Sequence, residues 1–343
     1  MNSLNRMVKS AAPVLVFLIV IAISANLLIN HDAVIPPHIN PQKTDTTLPS
    51  PTYSFPFENT TVTITSPVDP SIYAGAKAAD KETIIRGNIS DDVWLRATYF
   101  SMINDPNQES FYTDLIHDMR TIREKQGLDD DEYLELMTVF VQSMRYETIS
   151  ENPPKFPIET YEEKSGDCDD KSLLLAGLLS REGYNVSLLL FTPESHMAVG
   201  VVCPGGEYKQ TGYAYIETTN LSFAGVPTDT LGDGIQLRSD PFVIPVGNGT
   251  RIYGMCGEGL YINSVYKASE QKVNDLTVQI DSMKTVMDGF YAERDVNNYN
   301  LRVPLYNNLQ RQRLKYAEFH NYILDHRYDR KGTYLYVNQN LPG

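Results

Sequence analysis

Three side chains that together can move an acyl group occur in order along this 343-residue chain: the thiol of Cys168, the imidazole of His196 and the carboxylate of Glu217. Chemistry of this kind needs a nucleophile, a base to take its proton, and an acid that holds the base in one tautomer. Cys168 follows Gly166-Asp167, where a loop turns into an apolar helical run. A thiol there feels the positive end of a helix dipole, which favours thiolate. Asp167, Asp169 and Asp170 oppose that effect, so a cation such as His196 is needed beside the sulfur. His196 opens the run HMAVGV, and Glu217 lies between Ile216 and Thr218. From there its carboxylate can accept the Nδ1 proton of His196. Taken singly, a histidine in a strand is usually structural, and acids in a first helical turn are ordinary caps.

Cys203 and Cys256 are the other two cysteines. They form either a disulfide outside the cell, leaving Cys168 as the free thiol, or two buried thiols. No Cys-x-x-Cys spacing suggests zinc. Three neighbouring aspartates at one helix start rarely converge on a single ion, so neither metal nor cofactor is expected.

The elements that would position these groups can be read from periodicity. Val93, Leu95, Tyr99, Met102 and Ile103 give one helix, and Leu115, Met119 and Ile122 a second that ends near Gly127. Asp129 with Glu132 forms a capping box for a third, whose apolar face is Leu136, Phe140, Val141 and Met144. Ser172 to Leu179 reads as a buried helix ended by Arg181-Glu182-Gly183-Tyr184. Val186–Phe191, His196–Cys203 and Tyr213–Thr218 read as strands. One helix followed by strands without intervening helices points to an α+β domain with an antiparallel sheet. In the tail, Val273, Leu276, Ile280, Met283, Met287 and Phe290 follow coiled-coil spacing. Leu305, Leu309, Tyr316, Phe319 and Ile323 follow it again, with Pro304 in the first turn of that helix. The two stripes predict an antiparallel hairpin across Asp295 to Leu301, packed within the chain or offered to a partner helix.

The segment 156–219 resembles a transglutaminase-like core domain, as seen in exported, membrane-anchored members from archaea. The resemblance rests on FPIETYEEKSGDCDDKSLLLAGLLSREGYNVSLLLF, SHMAVGVV and YAYIETT, and on VQSMRYE around Tyr146. It implies a papain-like α+β fold, with Cys168 as nucleophile, His196 as general base and Glu217 as orienting acid. Family members include cross-linking transglutaminases, cysteine peptidases and amidases. The chain departs from the pattern in two places: the acid is Glu where Asp is common, and Met197 stands where an aromatic residue is frequent. The Cys168 backbone N–H is an expected oxyanion donor, and Tyr146 a further candidate.

The remainder places this domain. Ala11 to Ile29 carries no charge and is long enough for a bilayer core of about 30 Å. Arg6 and Lys9 precede it and no Lys or Arg follows until Lys43, which puts the N-terminus inside and the rest outside. A cleaved signal peptide is the rival reading, but the small-x-small site it needs fits poorly around Ser24. Five Asn-x-Ser/Thr sequons, at Asn59, Asn88, Asn185, Asn220 and Asn248, all follow the apolar segment. The Pro/Thr-rich stretch from Ala33 to about Pro70 reads as a stiff tether, with an added strand in Tyr53–Ile64. The expected layout is an anchor at 1–32, a tether at 33–75, a helical subdomain at 76–150, the core at 151–262 and the hairpin at 263–343. A net charge of −14 disfavours nucleic acid. The expectation is thus a single-pass plasma-membrane protein with its folded domain outside. It would be a cysteine hydrolase or acyltransferase acting on protein or peptide, including cell-envelope material. The competing expectation is a non-catalytic surface module that binds peptides or envelope components.

Overall fold

A computed structural model describes residues 32–147, 153–232 and 234–341. The apolar segment Ala11 to Ile29 lies outside these residues. Among those described, no helix is long and apolar enough to cross a membrane.

The stretch expected as a tether instead lies on the core. Strand β1 (Ala33–Ile35) pairs antiparallel with β4 (Ile84–Arg86). β2 (Thr52–Phe57) and β3 (Thr60–Thr65) form a hairpin that alternates exposed and buried residues. Its buried side is Tyr53, Phe55, Phe57, Val62 and Ile64, and the Tyr53 and Phe55 rings meet Phe140. Prolines prevent helix here, but they do not prevent burial of every second side chain. Pro70 then occupies the first turn of α1 (Pro70–Ala78), capped by the Asp69 carboxylate.

The three expected helices form as α2 (Asp91–Asn104), α3 (Glu109–Gln126) and α4 (Asp130–Gln142). Gly127 closes α3 at φ 71°, a left-handed conformation that suits glycine. Asp129 and Glu132 exchange the hydrogen bonds of a capping box. Every residue of α4 from Glu132 to Gln142 is buried, so this helix is central rather than merely amphipathic. After the short α5 (Pro157–Glu163), α6 (Cys168–Arg181) runs through the core with Leu173, Leu174, Leu175, Leu178 and Leu179 fully buried. Gly177 admits the Tyr112 hydroxyl, which would lie 2.1 Å from an added Cβ.

The architecture is α+β. β7 (Val186–Phe191), β8 (His196–Val201), β9 (Ala214–Ile216) and β10 (Phe242–Pro245) make one antiparallel sheet in the order β10-β7-β8-β9. α6 packs against β7 and β8. A two-residue parallel link, β5 (Arg145–Tyr146) to β6 (Ser165–Gly166), ties the end of α4 to the residues before Cys168.

The tail is an antiparallel hairpin of α7 (Cys256–Ala292) and α8 (Val296–Asp325), followed by α9 (Arg330–Asn340). Leu276, Ile280 and Met287 of α7 and Phe319 and Ile323 of α8 are buried, so the hairpin pairs within the chain. Three details differ from expectation. Pro304 lies inside α8, because Asp295 caps the helix further upstream by accepting from the Asn298 N–H. Leu305 is 44 % exposed and lies off the seam. α7 also starts earlier than expected, at Cys256, which is disulfide-bonded to Cys203 just beyond β8. Cys168 is the free thiol.

Candidate functional site

Cys168 is positioned by a helix cap. Asp167 accepts from the N–H groups of Asp169 and Asp170, and the Asp170 carboxylate returns to the Asp167 N–H. Gly166 allows this fold-back, since an added Cβ would lie 2.6 Å from the Asp170 Cβ. Cys168 is thereby the first residue of α6, with its own N–H outside the cap. Cys168 is 7 % exposed, and its thiol lies 3.4 Å from Asp169 Oδ1 and 3.9 Å from the Ser195 carbonyl. Burial pushes the thiol well above its usual range, and Asp169 and Asp167 add to that. The Met197 N–H, directed at the sulfur, opposes them. The sulfur thus rests between the main-chain groups on either side of His196. Burial and then Asp167 raise Asp169 itself to about 6.

His196 is the first residue of β8 and pairs with Phe191 across the β7–β8 turn. The residue before it, Ser195, is held at φ 48°, a left-handed conformation that a non-glycine side chain adopts at some cost. His196 Nε2 is 3.1 Å from the Tyr215 hydroxyl and 3.5 Å from Glu217 Oε2. Tyr215 donates its own proton to Glu217 Oε2 at 2.6 Å, so its oxygen can only accept from the imidazole. That fixes a proton on Nε2, so that in the neutral imidazole the lone pair is on Nδ1. The expectation that Nδ1 would face the acid is therefore reversed. Among the described residues no hydrogen bond joins Cys168 directly to His196.

Glu217 is saturated. Its Oε1 accepts from the N–H groups of Thr218 and Thr219 and from the Thr219 hydroxyl. Burial pushes this carboxyl up, but His196, Tyr215 and Thr219 outweigh it and hold it at about 2. Two positioning side chains escape sequence reasoning. Lys171, fully buried, donates from Nζ to the carbonyls of Gln142, Met144 and Thr219 and is pushed down to about 8 by burial. Gln142 donates to the Glu217 carbonyl. Tyr215 had a signal: it lies two residues before Glu217 in the alternating run, hence on the same strand face. Lys171 had none, since burial of a lysine is not visible in local pattern.

A cleft of about 390 Å³ opens beside His196, lined also by Tyr146, Ser195, Thr219 and Asn220. Tyr146, expected as an oxyanion candidate, is on its wall. The three aspartates diverge: Asp167 caps the helix, Asp169 faces the sulfur, and Asp170 accepts from the Lys155 N–H. Among the described residues no group of three or more acids, histidines or cysteines could hold a metal ion.

No protein-family model matches the chain, and no curated protein or solved structure matches it either.

Proposed function

We propose that this chain is a membrane-anchored, extracytoplasmic cysteine acyl-transfer enzyme of transglutaminase-like type, acting on amide or isopeptide bonds through Cys168, His196 and Glu217. One observation carries the reading. The Cys168 sulfur, at a helix N-terminus, lies against the main chain flanking His196, whose Nε2 is locked by Tyr215 and Glu217. The lone pair on Nδ1 is then the base. The resting thiol is protonated, so His196 takes the Sγ proton as the sulfur attacks the carbonyl carbon. The oxyanion is met by the Cys168 N–H at the start of α6. Imidazolium gives its proton to the departing amine nitrogen as the C–N bond breaks, leaving a thioester. Water, or a second amine, then attacks the thioester, loses a proton to His196 and restores the thiol. Hydrolysis and cross-linking differ only in that last acceptor. The Ala11 to Ile29 segment supports an anchor, and the Cys203–Cys256 disulfide agrees with an oxidising compartment.

The absence of a direct thiol–imidazole hydrogen bond among the described residues favours one second reading, a non-catalytic module that binds peptides or envelope components. An acyl-transfer assay separates the two. The full chain in detergent is incubated with p-nitrophenyl acetate, and its intact mass is followed. An acetyl adduct on Cys168 should form, discharge to water or glycine ethyl ester, and form at least about 100-fold more slowly in His196→Ala. No adduct on Cys168, or an equal rate in His196→Ala, sinks the enzyme reading and leaves the binding module.

A further inference from the structure

The cleft beside His196 does not end there. It shares Thr219, Asn220 and Gly232 with a larger one of about 770 Å³ that runs to the base of the helical hairpin. Tyr266 and Lys267 of α7 and Leu324 of α8 form the far wall, together with Arg327 just beyond α8. The charges on this wall are unequal in their commitments. Lys267 is paired with Asp229. Glu217 is turned to His196 and Tyr215. Arg327 is half-buried, has no ion pair or hydrogen bond among the described residues, and is held over the Tyr266 ring at 5.1 Å. Other described arginines, among them Arg302 and Arg313, also lack a carboxylate partner, but of these Arg327 is the one that stands on the groove wall. Its fork of N–H groups is shaped for a planar carboxylate, and stacking on an aromatic ring restrains it without using those donors. Leu324, 42 % exposed, supplies apolar surface next to it.

We infer that this groove takes a peptide segment carrying a carboxylate, seated on Arg327, with the adjoining residues led past Thr219 and Asn220 towards His196. The choice of a peptide rests on the acyl-transfer reading above. The seat itself rests on the unpaired arginine and the continuity of the two clefts. The hairpin then does more than pack on itself, since its base forms one wall of the substrate path.

Binding can be measured apart from catalysis. The full chain carrying Cys168→Ala is titrated, in detergent, against two fluorescein-labelled peptide pools that differ only in having Glu in one where Gln stands in the other. The Glu pool should bind roughly tenfold more tightly, as a charge-assisted contact to one guanidinium allows. Arg327→Gln should remove that preference and Arg327→Lys should keep part of it. Should Arg327→Gln not fold, Leu324→Asp gives the same test from an exposed position, by placing a repelling charge in the groove. Equal binding of the two pools overturns the proposal. So does a Glu preference that survives Arg327→Gln or Leu324→Asp. A Glu preference without acyl adduct formation would keep the groove and remove the enzyme; adduct formation without a Glu preference would do the reverse.

Discussion

Asp169 is in direct contact with the Cys168 thiol, the nucleophile of the proposed reaction, and works against its ionisation. Its carboxylate lies 3.4 Å from the sulfur of the buried Cys168. Replacing it by a neutral isostere should therefore lower the thiol pKa. In Asp169→Asn, iodoacetamide should alkylate Cys168 roughly tenfold faster at pH 8, the effect of about one pKa unit. Asp169 titrates at about 6, so the advantage should shrink below that pH as the wild-type carboxyl gains a proton. Identical rate–pH curves for the two proteins would show that the carboxylate does not govern the sulfur. At this scale the sequence was informative about types and order. Cys168, His196 and Glu217 could be picked out because a helix start and two strands could be. The atom through which His196 meets its acid could not, because it depends on the Tyr215 hydroxyl inserted between them. That insertion follows from three-dimensional strand pairing, which local periodicity does not contain.

Among elements, those with a strong period or a cap were legible: α3 with its glycine stop, α4 with its capping box, and the α7 stripe. The segment before α1 was not, since a run rich in Pro and Thr reads as solvated chain unless a core is present to receive Tyr53, Phe55 and Phe57. α9 was also missed, and the reason is instructive. Its apolar face is narrow, with Val337 buried and Tyr336 stacked on Tyr322, and it is attached by charge as well. Arg330, its first residue, donates from Nε to Glu135 of α4 at 2.5 Å, and it also reaches Glu258 of α7. Glu135, raised to about 7 by burial and restrained by Arg330, further accepts from the Tyr253 hydroxyl. Removing one member of such a buried pair strands the other. Arg330→Ala should cost about 3–5 kcal/mol in urea denaturation, and adding Glu135→Gln should recover a substantial part. A loss within ~1 kcal/mol would mean that α9 is held mainly by its apolar contacts.

Over the whole molecule, the disulfide reinforces a junction where the Tyr253 N–H already donates to the Val202 carbonyl. Cys203 follows the strand that begins with His196, and Cys256 begins the long helix whose later turns carry Tyr266 and Lys267. The bond closes 53 residues of sequence, including the loops around Asn220 and Gly232 that line both clefts. Cys203→Ser with Cys256→Ser should lose about 2–5 kcal/mol, read as a lower denaturation midpoint under nonreducing conditions. An unchanged midpoint would show that the noncovalent contacts suffice to keep the hairpin in register with the sheet.

That bond also sets what the base of the hairpin depends on. With the two thiols reduced, α7, whose Tyr266 and Lys267 line the larger cleft, has no covalent tie to the sheet that carries His196. With them oxidised, one wall of that cleft and the strand beginning at His196 become two ends of a single short covalent path.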